Sequence, residues 1–420
     1  MFDVDKWQEI WATVRKNALR TVLTMFGVFW GIFMLLLLLG SGKGLENGVL
    51  DGFSSMATNT FFMWSQRTTM PYAGLRPGRP FEFTVQDAEA IRQQVPEAAV
   101  ICPRNRVGGG YRAGASITRG LKTGSFTVTG DVPDFQKVKA FDMPAGRFLN
   151  PIDMKERRKV AVIGRMAYEE LYDEGEEALG TYVKINGVYF MVVGVFDMNV
   201  SGGEADRELR SVYLPLTTVQ QTYNYGDKIG WFSIVSDPGV PASVVERRVE
   251  TLLAARHKVH PDDDAAIGSN NLEREFNQLQ TLFTGIKVFV VIVGLGTLLA
   301  GIIGVSNIML IVVRERTREI GIRKAIGATP GSIVGLIIQE AIVITAVAGY
   351  VGLLGGIGLL ELISQLLESS GGVDMFARPG VDLKFAVLSF VIIVVGGALA
   401  GLLPAVKAAA IQPIEAIRDE

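Results

Sequence analysis

Four long apolar runs divide the 420-residue chain. Residues 21–42, 288–313 and 385–406 contain no Asp, Glu, Lys or Arg, and a fourth apolar stretch, interrupted once by Glu340, lies within residues 333–360. Each run is long enough for a helix of ~20 residues, the length that crosses a bilayer. The pattern predicts four transmembrane helices, over residues 19–42, 283–313, 333–360 and 385–406, rather than buried helices of a soluble protein.

The segment before the first run has an amphipathic pattern. Apolar residues recur at helical spacing with basic residues among them: Trp7, Ile10, Trp11, Val14 and Ala18, with Lys6, Arg15 and Lys16. Residues 1–18 are therefore predicted to form a cytoplasmic amphipathic helix in contact with membrane lipid. A signal peptide would carry neither this segment nor so long an apolar run, so the first run is predicted to be a retained anchor.

The distribution of Lys and Arg predicts the orientation in the membrane. Basic residues crowd the N-terminal flank and the connection at 314–332, whereas the connection at 361–384 carries only Arg378 and Lys384. The positive-inside rule then places both termini, including a tail at 407–420, and the connection at 314–332 in the cytoplasm. Residues 43–282 and the short loop at 361–384 are predicted to lie outside.

The outer region, residues 43–282, has the mixed pattern of a folded domain. Thr84 followed by Asp87 predicts a capped helix over residues 84–92, and Asn186-Gly187 between alternating apolar residues predicts a β-hairpin. A polar, Gly-rich loop is expected at 199–210, and residues 272–283 continue a helical pattern into the second run. We expect an α+β domain: a mixed α/β part with an inserted β-rich lobe at about residues 120–200.

Composition and motifs point away from several classes of protein. The net charge of -2 gives no reason to expect a nucleic-acid partner, and the single cysteine excludes an internal disulfide framework. The segment 40–44, Gly-Ser-Gly-Lys-Gly, has Leu37 where a phosphate loop needs its first Gly and Gly44 where it needs Ser or Thr, so a flexible exit from the first span is favoured.

Candidate catalytic and metal-binding residues are few. His257 and His260 precede three aspartates at 262–264, but nothing in the spacing fixes a metal geometry, so a solvated turn is favoured over a metal site. Paired catalytic groups are missing as well. We therefore expect no catalytic residues, no metal and no cofactor in this chain.

Small residues repeat every four positions within the spans, which favours close helix packing or dimerisation. The predicted packing residues include Gly296, Ala300 and Gly304 in the second span and Gly352 and Gly356 in the third. Two polar residues accompany them, Asn307 and Glu340. Glu340 is expected to face the helix bundle or the arginines of the connection at 314–332, and a structural contact is favoured over a proton relay.

That connection combines many charges with a regular apolar pattern. Residues 314–329 read Arg-Glu-Arg-Thr-Arg-Glu-Ile-Gly-Ile-Arg-Lys-Ala-Ile-Gly-Ala-Thr. The charges are too numerous for the bilayer core and the apolar spacing is too regular for a plain loop. The segment is predicted to be a helical elbow at the membrane surface, where a soluble partner docks.

Several segments together resemble one family. The elbow with Gln339 and Glu340, the C-terminal residues 403–418 and the segment 19–28 are similar to MacB/FtsX-type ABC transporter permeases. Residues 146–153, 160–164 and 213–216 resemble the periplasmic core domain of the MacB group.

The resemblance implies a dimerising four-span permease subunit in the bacterial inner membrane, with its large domain in the periplasm. Its elbow would be a coupling helix that contacts a cytoplasmic ABC ATPase, the chain that binds ATP and Mg²⁺. The implied coupling residues are Arg314, Glu315, Arg316, Arg318, Glu319, Arg323 and Lys324. The second permease would be another copy or a paralogue, and a periplasmic adaptor with an outer-membrane channel is an open further partner.

Two functions follow from the resemblance. The first is mechanotransmission, in which ATP hydrolysis drives a periplasmic conformational change for efflux or extraction of a substrate. The alternative is an FtsX-like regulator that conveys the ATPase state to cell-wall hydrolases. Because the chain begins with the amphipathic segment and has no Walker motif, a separate ATPase subunit is expected. A membrane-anchored enzyme is disfavoured.

Overall fold

The computed structural model describes residues 18–51, 53, 56–108, 114–198, 203–369 and 376–412. Residues 49–281 form one compact unit, and the residues on either side of it form the other. The predicted amphipathic helix, apart from Ala18, and the end of the predicted tail lie outside the described residues.

The described residues form twelve helices and thirteen strands. The helices are α1 (Ala18–Asp51), α2 (Val85–Gln94), α3 (Phe135–Val138), α4 (Pro151–Lys155), α5 (Arg165–Leu171), α6 (Gly203–Leu209), α7 (Leu216–Thr222), α8 (Ala242–His257), α9 (Leu272–Glu315), α10 (Thr317–Ala325), α11 (Pro330–Ser369) and α12 (Leu383–Ala409). The strands are β1 (Thr60–Ser65), β2 (Phe83–Thr84), β3 (Ala98–Arg106), β4 (Ala115–Arg119), β5 (Lys122–Asp131), β6 (Asp142–Gly146), β7 (Val160–Gly164), β8 (Tyr182–Ile185), β9 (Val188–Asp197), β10 (Ser211–Pro215), β11 (Lys228–Ile229), β12 (Trp231–Ser236) and β13 (Ile267–Asn271).

Four helices, α1, α9, α11 and α12, are long and apolar enough to cross a membrane. This confirms the predicted four-span architecture. The second of them, α9, runs without a break from Leu272 to Glu315, as the helical pattern before the second apolar run predicted. Buried aliphatic side chains such as Ile32, Val305 and Ile337 pack the bundle, while its outer faces expose further apolar residues. Apolar outer faces are what contact with lipid requires.

The prediction of a flexible exit from the first span is wrong. Residues 40–44 continue α1, which ends only at Asp51. Their glycines serve close packing: a Cβ at Gly40 would overlap the Leu360 side chain, and one at Gly44 would lie 2.9 Å from Phe376 Cζ and 3.0 Å from Pro379 Cβ. Tertiary contacts therefore outweigh the low helix propensity of glycine here.

The β-rich lobe of the unit 49–281 is a closed ring of six strands. In order around the ring these are β5, β10, β7, β9, β8 and β4, which returns to β5. The ring closes through the parallel pairing of β10 with β5, in which Val212 lies opposite Val128. Its interior is a cluster of buried apolar side chains, including Phe126 and Phe190. The predicted inserted lobe is thus a small barrel.

The other lobe is an antiparallel sheet in the order β3, β12, β1, β13. Phe61, Met63 and Phe232 lie on the face that α2 and α8 cover. Strand β3 also pairs with β5 through Asn105 and Arg106, so it belongs to both lobes. This arrangement is the α+β domain that the sequence predicted.

Two local predictions have opposite outcomes. Asn186 and Gly187 both have positive φ, 42° and 91°, and connect β8 to β9, which confirms the predicted hairpin. The predicted loop at 199–210 is wrong in its second half, because residues 203–209 form α6. Ala205 and Leu209 are buried, and this burial favours a helix in a segment whose composition is that of a loop.

Candidate functional site

The elbow, residues 314–329, contains a separate short helix, α10. This helix lies between two interruptions of the helical conformation. Arg316 leaves the helical conformation (φ −101°, ψ 14°), which separates α9 from α10. Gly327 has φ 110°, a conformation that glycine adopts most easily, and the chain then turns into α11 at Pro330. The predicted helical elbow is therefore present at residues 317–325.

Arg316 ties the elbow to α11. Its Nη1 lies 3.4 Å from Oε2 of Glu340, and its Nε lies 3.9 Å from Oε2 of Glu319. The Glu340 side chain is 5% exposed. A buried carboxylate in a span requires a partner, and Arg316 is that partner. The contact predicted between Glu340 and an elbow arginine is thus observed.

Lys324 ties the elbow to α12. Its Nζ donates to the carbonyl oxygens of Ala409 and Ile411, both at 2.7 Å. Because the last carbonyls of a helix have no partners within it, an ammonium group at this end is favourable for both hydrogen bonding and the helix dipole. No local pattern around Lys324 indicates this role, because the two acceptors are backbone atoms far along the chain.

The other predicted coupling residues make few of these contacts with the spans and are accessible to solvent. Arg314, Glu315, Arg318, Glu319 and Arg323 are all exposed. Their role in contacting an ATPase stays a prediction.

Two apolar side chains accompany these charges at the surface. Ile322 is 44% exposed and Ile326 is 83% exposed. Ile326 follows Ile322 by four residues, which is helical spacing, so this pair was visible in the apolar pattern, although neither residue is among the predicted coupling residues.

The predicted packing glycines fall into two groups. Gly352 and Gly356 of α11 face α1: a Cβ at Gly352 would overlap Ile32, and one at Gly356 would lie 3.2 Å from Leu36 Cβ. In contrast, a Cβ at Gly296 or Gly304 would meet no heavy atom within 4 Å in the part of the chain that the structure describes.

The stripe of Gly296, Ala300 and Gly304 therefore faces away from the bundle, and Asn307 is exposed beside it. A different pair of glycines makes the contact between α9 and α1. A Cβ at Gly294 would overlap Leu35, and one at Gly301 would lie 3.4 Å from the carbonyl oxygen of Gly27. Packing within the chain through the predicted stripe is thus not observed, whereas its use in dimerisation stays a prediction.

The histidine and aspartate segment is structural. Nε2 of His257 lies 2.7 Å from Oδ2 of the buried Asp87, and Asp263 accepts hydrogen bonds from the backbone N–H groups of Thr69 and Met70 at 2.7 and 3.0 Å. The prediction of a solvated turn is wrong for His257 and Asp263, whose side chains are largely buried, although Asp262 is exposed. Within the described residues, no three His, Cys, Asp or Glu side chains are grouped as a metal site.

Two family models match the chain. Residues 21–252 match the MacB-like periplasmic core domain, and residues 291–413 match the FtsX-like permease C-terminal region. The first match alone covers more than half of the chain.

Curated relatives align with almost the whole chain. The macrolide export ATP-binding/permease protein MacB of Rhodospirillum rubrum is 29% identical over 97% of this chain and 59% of its own length. The pyoverdine export ATP-binding/permease protein PvdT of Pseudomonas savastanoi pv. phaseolicola is 28% identical over 99% of this chain and 60% of its own length. The chain therefore spans about 60% of the length of these relatives.

A solved structure of the periplasmic region of MacB from Actinobacillus actinomycetemcomitans aligns with 55% of this chain and 97% of its own length, at 18% identity and a TM-score of 0.43. Together with the four spans, the family matches identify a multi-pass inner-membrane protein with a periplasmic domain. The connection between the second and third spans, which contains the elbow, is then on the cytoplasmic side. The chain belongs to the family of ABC transporter permeases that combine a MacB-like periplasmic core domain with an FtsX-like permease region.

Proposed function

We propose that this chain is the permease subunit of a mechanotransmission system, in which ATP hydrolysis in the cytoplasm drives a conformational change of the periplasmic domain for efflux or extraction of a substrate. The observation that carries the proposal is the elbow. Its inner side chains, Arg316 and Lys324, bind two spans, while Arg314 and Arg318 are exposed at its surface.

The outer surface of the elbow is suited to a protein partner. Arg314 and Arg318 are exposed, and Ile322 adds apolar area between the charges. Arginine and buried apolar anchors contribute much of the binding energy at protein interfaces. A displacement of the elbow would be passed to α11 through Glu340 and to the end of α12 through Lys324.

We place ATP and Mg²⁺ on an ABC ATPase outside these 420 residues. The only glycine-rich segment that resembles a phosphate loop, residues 40–44, lacks two of its required residues and lies within helix α1. The permease should therefore bind no nucleotide by itself. ATP hydrolysis by the purified chain alone would contradict this assignment.

Charge reversal on the elbow tests the coupling role. With the ATPase partner and the permease reconstituted in nanodiscs, Arg318→Glu should weaken ATPase binding about tenfold or more, because a charge reversed within a protein interface costs several kcal/mol. Lys384→Glu, an exposed change in the first turn of α12 on the periplasmic side, is the matched control and should leave binding unchanged. Equal binding by both variants would remove the elbow from the interface.

Coupling through the elbow would serve efflux and the control of cell-wall hydrolases equally well. The two functions therefore have to be distinguished by the binding partners of the periplasmic domain. Crosslinking from the periplasmic domain in cells should capture an adaptor or a transported substrate if the chain drives efflux or extraction. Capture of a wall hydrolase instead would favour the regulatory function.

We also propose that two permeases pair through the outward stripe of α9. The stripe of Gly296, Ala300 and Gly304 leaves room for a close helix approach, and the exposed Asn307 amide lies within the same apolar run. An amide that faces lipid is unfavourable unless a second helix supplies a hydrogen-bond partner.

A further inference from the structure

A cavity of about 610 Å³ opens between the elbow and the ends of the two spans that flank it. Its apolar wall includes Met309 and Val312 of α9, Ile320 of α10 and Leu336 of α11. The volume is in the range of sites that bind small molecules, which is about 300–1,000 Å³. The cavity lies wholly within the membrane-spanning unit.

The position of the cavity along the spans indicates the depth at which it lies. The uncharged run of α9 ends at Val313, and α11 carries no charged residue from Pro330 until Glu340; Val313 and Glu340 both line the cavity. The last turn of one span and the first turns of the next lie at the level of the lipid headgroups. A cavity at this level is open to a phospholipid from the cytoplasmic leaflet.

The charged residues of the lining have both signs. Arg316 and Arg323 supply two guanidinium groups, and Glu319 and Glu340 supply two carboxylates. Glu340 is 5% exposed and lies against Arg316, whereas Glu319 is 59% exposed and stands four residues before Arg323 on α10. The accessible rim of the cavity therefore pairs one cation, Arg323, with one anion, Glu319.

Arg316 also retains donor capacity toward the cavity. Its contacts with Glu340 and Glu319, at 3.4 and 3.9 Å, are longer than the 2.7–2.9 Å of a tight charge-assisted hydrogen bond. A guanidinium has five N–H donors in a planar fork, a geometry that matches phosphate oxygens. Ser332, in the first turn of α11, brings the positive end of a long helix to the same cavity.

We propose that this cavity binds a phospholipid with a primary amine in its headgroup, such as phosphatidylethanolamine. The phosphodiester would lie at Arg323 and Arg316, the ammonium group would donate to Glu319, and an acyl chain would cover Met309, Val312 and Leu336. A zwitterionic headgroup with its own N–H donors matches a rim of one cation and one anion. A choline headgroup has no N–H to donate, and a glycerol headgroup has no cation.

The bound lipid would act as a structural ligand of the elbow. It fills the space between α10 and the spans, so the angle of the elbow would depend on the presence of the lipid. This role is independent of which soluble protein contacts the outer surface of α10.

Gly335 offers a direct way to fill the cavity. It lines the cavity, and a Cβ at this position would have no heavy atom within 4 Å in the described chain, so Gly335→Leu should enter the empty space without displacing neighbours. Gly331→Leu is the matched control. It lies one turn earlier on the same helix and has equally open surroundings, but it does not line the cavity.

The full chain, purified from detergent mixed with equal amounts of phosphatidylethanolamine, phosphatidylcholine and phosphatidylglycerol, should be examined by native mass spectrometry. The unmodified chain and Gly331→Leu should retain phosphatidylethanolamine at least fivefold over phosphatidylcholine. Gly335→Leu should lose at least four fifths of the retained lipid. Glu319→Gln should remove the preference for the amine headgroup, whereas Arg318→Gln, outside the cavity, should not.

Three results would overturn the proposal: equal retention by Gly335→Leu and Gly331→Leu, equal retention of the phosphatidylethanolamine and phosphatidylcholine headgroups, or a preference for phosphatidylglycerol. If Gly335→Leu abolished binding of the ATPase partner but left lipid retention unchanged, the cavity would be a protein site. Lipid retention is measured without the ATPase, so this test can fail while the coupling role of the elbow stands, and the reverse also holds.

Discussion

Asp87 is a buried carboxylate that joins two helices of the periplasmic domain. It accepts hydrogen bonds from the backbone N–H of Thr84 at 2.8 Å, and from Nε of Arg256 at 2.7 Å; His257 Nε2 lies 2.7 Å away. Burial by itself raises the pKa of Asp87, but the hydrogen bonds from His257, Arg256 and Thr84 outweigh burial and lower it well below 3.8. The residue thus caps α2 and also binds the C-terminal end of α8.

Removal of this carboxylate should destabilise the periplasmic domain. Asp87→Ala should cost about 3 kcal/mol at pH 7, because it removes the buried acceptor of Arg256, which is 34% exposed, and of the more buried His257. Because the folded pKa is below the unfolded value, the stabilisation is complete above about pH 4 and is lost as the pH falls below 3.8. Denaturant unfolding followed by Trp fluorescence should therefore show the variant and the unmodified chain converging at low pH.

Glu89→Ala is the control for this measurement, since the ion pair of Glu89 with Arg92 on the same helix is 56% exposed on both sides. It should change stability by less than about 0.5 kcal/mol. A difference between Asp87→Ala and the unmodified chain that stays constant from pH 7 to pH 3 would contradict the assigned role.

At the scale of the elements, glycines determine which helix faces meet. Gly352 admits Ile32 of α1, with the carbonyl oxygen of Phe29 2.8 Å from the Cβ position, so α1 and α11 approach closely there. Gly358, also on α11, has open surroundings. Within α11, glycine is thus required for close helix packing at position 352 but not at position 358.

Substitution by leucine should affect stability differently at positions 352 and 358. Gly352→Leu should destabilise the helix bundle by about 1–3 kcal/mol, because the new side chain overlaps α1. Gly358→Leu should be neutral or slightly stabilising, because leucine has the higher helix propensity. Thermal unfolding of the full chain in nanodiscs compares them, and equal effects of the two substitutions would argue against the packing described for α11.

Local signals predicted local structure well. Asn186-Gly187 predicted its turn and Thr84 with Asp87 predicted the start of α2, because the residues that determine these features are adjacent in sequence. Closure of the barrel depends on the pairing of Val212 with Val128, and no local pattern indicates such a distant partner.

The candidate site likewise has contacts that the sequence pattern indicates and contacts that it does not. The pair of Arg316 and Glu340 was predictable, because a carboxylate at the edge of a span requires a cation and the elbow supplies several. The role of Lys324 was not, since its acceptors are carbonyl groups at the end of α12. Spacing alone also did not show that Gly294 and Gly301, rather than Gly296 and Gly304, contact α1.

At the scale of the whole molecule, the chain has a single thiol, Cys102, which is buried. Burial raises the pKa of this thiol well above its usual range, so it exists as the unreactive protonated form. A disulfide formed by an introduced cysteine can therefore be assigned to that cysteine. The 420-residue chain suits crosslinking without removal of the native residue.

Such a cysteine tests the proposed dimer. Gly304→Cys, on the outward stripe of α9, should form a disulfide between two copies in membranes treated with an oxidant, and the dimer should appear on non-reducing gels. Leu399→Cys, on the exposed face of α12, is the control and should remain monomeric. Crosslinking at residue 399 but not at residue 304 would assign the dimer interface to α12.

The closed ring of six strands restricts how other polypeptides can associate with the periplasmic domain. Every strand of the ring has neighbours along both edges, so its main-chain donors and acceptors are already used. A binding partner, or an aggregating copy, cannot extend this lobe by β-augmentation and has to recognise side chains and turns such as the exposed Leu121. Strand β13 pairs with β1 alone among the described strands, so intermolecular pairing should be directed to that margin.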